Sequence, residues 1–307
     1  GFLDVLLFSR QMHTLMKAGV PIMRALAGLQ ESAMNRAFAA VIKDLREALD
    51  SGRELSQALA RNPAVFGSFY VAMIRVGETT GRLEEVFLQL FHHLEFQKYM
   101  KDQVKAALRY PSFVVLAMAI ALVIINIFVI PAFAKVFKGF NAELPLMTRI
   151  LIGFSDFTLA WWPAILTLLV VAVFAFRLFV KTADGRLAWD RLKLRIPIAG
   201  KIIRKATLAR FARSFAMAAR SGVPIVQGLS LTGQVVENAW IEKKLEDMRM
   251  GVERGESVLR TAVASGVFTP VVLQMVMVGE ESGSLDDMML EIADMYQREV
   301  EYELKTL

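Results

Sequence analysis

Two long uncharged stretches interrupt an otherwise amphipathic chain of 307 residues. The first covers residues 110–134 and the second covers residues 157–176, and neither contains Asp, Glu, Lys or Arg. A helix needs roughly 20 apolar residues to cross a hydrocarbon core of roughly 30 Å. Two such runs in one chain favour a transmembrane hairpin over the buried helices of a soluble protein.

The first hundred residues have apolar positions at helical spacing. In the segment 35–50 these positions recur every three or four residues, at Phe38, Val41, Ile42, Leu45 and Leu49. Further helices are predicted at 2–18, from Pro21 onward, at 65–76 and at 82–109, with a corner at Asn62-Pro63. The pattern indicates a compact helical bundle whose last helix runs into the first uncharged stretch.

The bundle sequence occurs twice. The motif Gly-Val-Pro-Ile begins at Gly19 and again at Gly222. Its glycine closes one helix in the left-handed conformation, and its proline, Pro21 or Pro224, suits the first turn of the next helix. The same alignment pairs Phe8 with Phe211, Arg10 with Arg213 and Gly52 with Gly255. Order and spacing hold over roughly a hundred residues per copy, which indicates a duplicated domain.

The duplication divides the chain into two homologous helical domains around a membrane hairpin. We predict a first repeat at 1–109, a first span at 110–134, an outward loop at 135–156, a second span at 157–178 and a second repeat at 185–307. The second copy ends at Leu307, opposite Lys105, just before the point where the first copy enters its span. We therefore expect the natural chain to continue into a third hydrophobic span.

The most specific local motif is Gly-Glu-x-x-Gly, which occurs once in each repeat. The first copy contains Gly77, Glu78 and Gly81, and the second contains Gly279, Glu280 and Gly283. On a structural interpretation the glycines make an unusual turn and the glutamate caps the following helix. On a functional interpretation the glutamate binds a partner, whereas one carboxylate per domain makes a poor cation site.

The charge distribution distinguishes between two possible anionic partners, a membrane surface and a nucleic acid. Hydrophobic residues make up 55% of the chain and the net charge is +6. Basic residues flank the spans on the side of the repeats: Lys98, Lys101, Lys105, Arg109, Arg177, Lys181, Arg186, Arg191, Lys193 and Arg195. This distribution predicts repeats that face the cytoplasm and a membrane surface as the anionic partner. Nucleic-acid binding is not predicted.

Two residues inside the first span stand out. Asn126 is polar, and Pro131 removes a backbone donor and would leave the carbonyl of Ile127 without its partner. They indicate either a polar pathway or helix contact, or a local kink near the outer end of the span.

Motifs for catalysis and cofactor binding are absent from the sequence. It contains no cysteine, no P-loop and no Gly-x-Ser-x-Gly elbow, and its three histidines do not form a metal pair. No catalytic, cofactor-binding or metal site is predicted, and the chain is not expected to be an enzyme.

The two repeats, the corner motif and the Gly-Glu-x-x-Gly motif together resemble the PilC/GspF family of polytopic platform proteins. The resemblance covers nearly the whole chain and extends to the loop, where the matching residues are Pro131, Phe133, Phe137, Leu144, Pro145 and Thr148. Within the family the chain is more similar to pilus platforms, of the mannose-sensitive haemagglutinin pilus type. The lack of a third span and of a longer N-terminal lead departs from the family pattern.

The resemblance implies an all-α platform in the bacterial inner membrane. Its expected partners are a cytoplasmic hexameric assembly ATPase, pilin or pseudopilin subunits, inner-membrane alignment proteins and further copies of itself. Movement of the platform is thought to lift pilin into the growing fibre. We predict that Arg75, Glu78 and Arg82 in the first repeat contact the ATPase. The alternatives are a membrane-anchored scaffold or signalling protein and a solute transporter, although the spans lack charged residues to line a path.

Overall fold

The computed structural model describes residues 1–140 and 145–306. These residues form helices and no strand, so the all-helical prediction is confirmed. Leu144 of the predicted loop motif and Leu307 lie outside the described residues. The helices are α1 (Phe2–Lys17), α2 (Ile22–Ser32), α3 (Arg36–Asp50), α4 (Leu55–Ala60), α5 (Ser68–Thr80), α6 (Leu83–Ile124), α7 (Ile130–Gly139), α8 (Leu146–Lys181), α9 (Ala183–Lys193), α10 (Ala199–Arg220), α11 (Ile225–Gly233), α12 (Ala239–Glu253), α13 (Val258–Ser265), α14 (Pro270–Ser282) and α15 (Leu285–Lys305).

Helices α10 to α15 repeat α1 to α6 in order and in their capping. The side chain of Asn35 accepts a hydrogen bond from Ala37 N and caps α3. Asn238 caps α12 in the same way, because its side chain accepts from Trp240 N and Ile241 N. Such a cap satisfies backbone donors that the first helical turn leaves free. The two copies therefore begin their third helix by the same device.

The Gly-Val-Pro corners are also alike in the two repeats. Gly19 and Gly222 have φ values of 84° and 91°, as the left-handed closure requires. Pro21 and Pro224 have ψ values of 146° and 151° and are N-cap residues. The prediction that each proline lies in the first helical turn is wrong by one position, because an extended ψ cannot belong to the helix.

The two repeats pack into one compact unit. It consists of Gly1–Gln103 together with Asp190–Leu307. Met217, Ala218 and Val223 of the second repeat are buried in the same hydrophobic cluster as Phe8 of the first. The contact between the repeats therefore removes apolar surface from water, which stabilises both.

The remaining unit, Val104–Trp189, contains the two apolar helical segments. Helix α6 continues through a π-helical turn at Ile125–Val129 into α7, and α8 follows. Both segments are long and apolar enough to cross a membrane. Residues 135–156, predicted as a loop, are helical up to Gly139 and again from Leu146. Helix α8 is kinked at Trp161, two residues before Pro163, which is where a proline disturbs a helix.

Candidate functional site

The two glycines of the Gly-Glu-x-x-Gly motif have different structural roles. Gly77 lies in α5 with helical geometry, and a Cβ added there would lie 3.1 Å from the Cα of Leu83. Gly81 has a φ of 70° and ends α5, and Arg82 N then donates to Gly77 O at 3.0 Å. The prediction of a turn through the whole motif is therefore wrong, because the helix continues to Thr80. One glycine permits close packing, and the other permits the left-handed cap.

The second copy of the motif has the same geometry. Gly283 has a φ of 72° and ends α14, and Ser284 N donates to Gly279 O at 2.9 Å. A Cβ on Gly279 would lie 3.0 Å from the Cα of Leu285. The close approach of the last helix to the one before it thus recurs in both repeats.

The glutamate of the motif caps an earlier helix. Glu78 accepts hydrogen bonds from Ser56 N at 2.6 Å and from Ser56 Oγ at 2.8 Å, at the start of α4. Glu280 accepts from Val258 N at 2.6 Å and from Leu259 N at 3.3 Å, at the start of α13. The expectation that the glutamate caps the following helix is wrong. Its negative charge lies instead at the positive end of the helix dipole of α4 or α13.

The two arginines beside Glu78 point to solvent. Arg75 is exposed on α5, and Arg82 is exposed and forms a 3.6 Å ion pair with Glu85. The equivalent positions in the second repeat are Met277 and Ser284. The exposed arginine pair is therefore a feature of the first repeat alone.

Polar side chains join the two repeats at several points. Ser68 Oγ donates to Gln234 Oε1 at 2.5 Å, and Tyr99 OH donates to Glu301 Oε1 at 2.7 Å. Ser221 Oγ also donates to Oε1 of Gln89. Because hydrogen bonds are directional, these bonds fix the register in which one repeat lies on the other.

Arg213 bridges helices from both repeats. Its guanidinium carbon lies 4.2 Å from the centroid of the Phe96 ring on α6. Its Nη2 donates to Asp294 Oδ1 at 2.7 Å and to Gln297 Oε1 at 3.0 Å on α15. The planar guanidinium can stack and donate at once, which a lysine ammonium could not do.

Beside Arg213, His93 is buried in the interface between the repeats. Gln97 Nε2 donates to His93 Nε2 at 3.1 Å, which leaves the proton on Nδ1, 3.5 Å from Ser214 Oγ. Burial, together with the positive charges of Arg210 and Arg213, lowers the pKa of His93 to about 3. The histidine is therefore neutral at physiological pH and serves as a packing and hydrogen-bonding residue.

The backbone of Asn126, the polar residue of the first span, takes part in a contact between helices. The π-helical turn brings Ile130 N–H to Ile125 O, and Ser155 Oγ on α8 donates to the backbone carbonyl of Asn126 at 2.6 Å. Pro131 begins the next turn, in α7. The carbonyl that takes an outside donor is thus that of Asn126, one residue before the Ile127 carbonyl named from the sequence.

Several structurally important residues were missed by sequence reasoning. Ser56, Ser155 and Arg213 each complete a contact with a distant helix. A serine at the start of an apolar run was the available signal for Ser155, and the alignment of Arg213 with Arg10 was the signal for Arg213.

Across residues 1–140 and 145–306, no group of three His, Asp or Glu side chains is placed to hold a metal ion.

Known proteins match this chain over nearly its whole length. The family profile described as type II secretion system (T2SS), protein F, matches residues 8–131 and 211–307. Type IV pilus assembly protein PilC of Thermus thermophilus is 36% identical over 309 residues, covering 100% of this chain and 76% of that protein. Type IV pilus assembly protein TapC of Aeromonas hydrophila is 32% identical, covering 97% and 73%. Type II secretion system protein F of Pseudomonas aeruginosa is 32% identical, covering 94% and 72%.

Proposed function

Because the chain belongs to the type II secretion system protein F family, we propose that it couples a cytoplasmic assembly ATPase to the insertion of pilin subunits. In this proposal it is a platform in the bacterial inner membrane, and its repeats face the cytoplasm. The machine is a type IV pilus or a type II secretion system. Pilin or pseudopilin subunits, inner-membrane alignment proteins and further copies of the chain are its other partners.

The observation that carries the proposal is the packing of both repeats into one unit. One repeat precedes the apolar hairpin in the chain and the other follows it, yet they share a hydrophobic cluster. A force applied to either repeat therefore reaches both chain connections to the hairpin. Transfer of an ATPase stroke to membrane helices needs a body of this kind, because packed interiors transmit displacement with little compression.

The contact surface for the ATPase, in this proposal, is formed by Arg75 and Arg82. Both are exposed, and the second repeat lacks them. Glu78 takes part indirectly: its carboxylate is engaged by Ser56, so it holds α4 against α5 beneath the arginines. Exposed arginines suit an acidic partner surface, where they increase the association rate and specificity.

The test compares three versions of the full-length gene in cells. The first is a deletion, the second carries Arg75→Ala with Arg82→Ala, and the third is a control with Arg53→Ala, an exposed arginine in the same repeat. Surface fibres or secreted substrate are scored together with pilin in the inner membrane. The ATPase that co-purifies with each version is measured as well.

We expect the deletion to abolish fibres or secretion while pilin remains in the membrane. The double variant should lose co-purifying ATPase while the platform remains abundant, and the Arg53→Ala control should behave as wild type. Normal assembly in the deletion strain would overturn the proposed function. Normal ATPase recovery with the double variant would remove only the assignment of the two arginines.

A further inference from the structure

A basic and apolar segment follows the second span. Helix α9 ends at Lys193 and α10 begins at Ala199, and the connection contains Ile196 and Ile198. Three aliphatic side chains of the segment 192–198 are exposed: Leu192 (54%), Ile196 (40%) and Ile198 (64%). Three exposed aliphatic side chains within seven residues indicate a segment that meets another apolar phase.

Ile198 has a strained backbone. Its φ of 67° and ψ of −64°, with a 2.8 Å hydrogen bond from Ala199 N to Pro197 O, define a γ-turn of the rare positive-φ type. A β-branched residue is a pronounced outlier in this conformation. Strain of this kind persists only where the surrounding structure enforces it, and it is concentrated at binding sites and switches.

The turn is held from within the fold. A Cβ on Gly200 would lie 2.6 Å from Leu194 O, so the two ends of the connection pack backbone against backbone. The strained turn therefore presents Ile198 to solvent in a fixed position.

The charges around this segment are positive. Arg191 and Arg195 are exposed, and no acidic residue occurs from 191 to 198. The preceding Asp190 is buried, accepts from Ala239 N at 2.7 Å and forms a 3.4 Å ion pair with Lys193. The segment thus combines exposed aliphatic side chains with the exposed basic side chains of Arg191 and Arg195, as interfacial membrane segments do.

The segment follows the second span closely along the chain. Helix α8 ends at Lys181. After Thr182, the 11-residue α9 leads directly into the segment and ends at Lys193. A helix of that length spans roughly 16 Å. A connection of this length allows the segment to reach the surface of the bilayer that α8 would cross.

We propose that residues 192–198 form a membrane-surface anchor that binds anionic phospholipid. Leu192, Ile196 and Ile198 insert at the boundary between headgroups and acyl chains, while Arg191 and Arg195 lie against the lipid phosphates. The anchor depends on membrane insertion of α8, and it is independent of the pilus or secretion role.

The absence of native cysteine allows a direct test with single labels. The full chain with Ile198→Cys carries an environment-sensitive fluorophore and is reconstituted in vesicles whose lipids bear bromine near the headgroup. One set of vesicles contains phosphatidylglycerol and the other contains only phosphatidylcholine. Val263→Cys is the exposed control in α13, and Leu168→Cys is the control within α8.

The label at Ile198 should be quenched and blue-shifted in phosphatidylglycerol vesicles and much less so in phosphatidylcholine, while the Val263 label stays unquenched. Adding Arg191→Gln and Arg195→Gln should weaken the preference for phosphatidylglycerol about fivefold per arginine, from roughly one kcal/mol per charge. The exposed Arg254→Gln serves as the charge control and should leave the preference unchanged.

Three results would overturn the proposal. An Ile198 label as unquenched as the Val263 label, with the Leu168 label blue-shifted, would place the segment in water. Equal quenching in both lipids would exclude recognition of the anionic headgroup. A Leu168 label without a blue shift would contradict membrane insertion of α8 and with it the anchor.

Discussion

Ser155 Oγ donates a 2.6 Å hydrogen bond to the backbone carbonyl of Asn126, and this bond replaces one that the first span cannot make for itself. In the π-helical turn, Ile130 N–H bonds to Ile125 O. In the same pattern, the carbonyl of Asn126 would accept from the N–H of residue 131. That residue is Pro131, which has no N–H. An unpaired carbonyl in hydrocarbon is costly. The serine therefore explains how the span accommodates its proline.

Removal of the Ser155 hydroxyl should destabilise the hairpin. We expect Ser155→Ala to decrease the free energy of unfolding of the full chain in detergent by about 1 kcal/mol, because the Asn126 carbonyl loses its donor. Ser155→Thr keeps a hydroxyl and should restore much of the loss. Thr158→Ala is the matched control, since the Thr158 hydroxyl bonds within its own helix to Phe154 O. Equal stability of the Ser155→Ala and Thr158→Ala variants would contradict this role.

The capping glutamates should contribute comparably to the two repeats. We expect Glu78→Ala and Glu280→Ala each to lower the stability by about 1–2 kcal/mol, since each removes the acceptor at a helix N-terminus. Denaturant midpoints of the full chain measure this. Glu85→Ala, at a largely exposed position, should change stability by less than about 0.5 kcal/mol. If Glu78→Ala behaved like Glu85→Ala, the carboxylate would not be a structural cap.

The helical glycine of the motif should not tolerate a methyl group. Gly77→Ala would bring a Cβ to 3.1 Å from the Cα of Leu83, and we expect a loss of about 1–3 kcal/mol from overpacking. Gly28→Ala in α2 is the matched control, because a Cβ there meets nothing within 4 Å. That control should be neutral or stabilise by up to about 1 kcal/mol, as helix propensity predicts. Thermal unfolding of both variants distinguishes packing from propensity.

The buried histidine should make stability depend on pH. The pKa of His93 is lowered to about 3 by burial and by two arginines, against a value near 6.5 in the unfolded chain. The unfolded chain therefore takes up the proton first. The contribution of His93 to stability is complete above about pH 6.5 and decreases toward pH 3 by up to about 1.4 kcal/mol per pH unit.

A methionine at this position tests the titration, because Met295 is the equivalent residue of the second repeat. His93→Met should lose less stability than wild type between about pH 7 and about pH 5 in urea unfolding. His92→Met, at an exposed position on the same helix, should keep the wild-type difference. A wild-type pH dependence in the His93→Met variant would show that other groups cause it.

Much of the local structure could be predicted because short-range patterns determine it. The apolar spacing of residues 35–50 predicted α3, and Gly19 predicted the left-handed end of the first helix. The two uncharged runs predicted helices long enough to cross a membrane. Each of these features depends on residues within a few turns of one another, so a single sequence contains enough information.

Tertiary structure decided which distant residues form hydrogen bonds with the polar groups. Glu78 was expected to cap the helix after it, but it caps α4 through Ser56, which lies 22 residues before it in the chain. Ser155 bonds to Asn126, 29 residues away, and Gln89 bonds to Ser221 of the other repeat. A buried polar group takes whichever donor or acceptor the packing of helices brings beside it. The sequence by itself determined the helices and their duplication. The hydrogen-bonding partners of the buried polar groups were decided by how the helices pack when their apolar faces are removed from water.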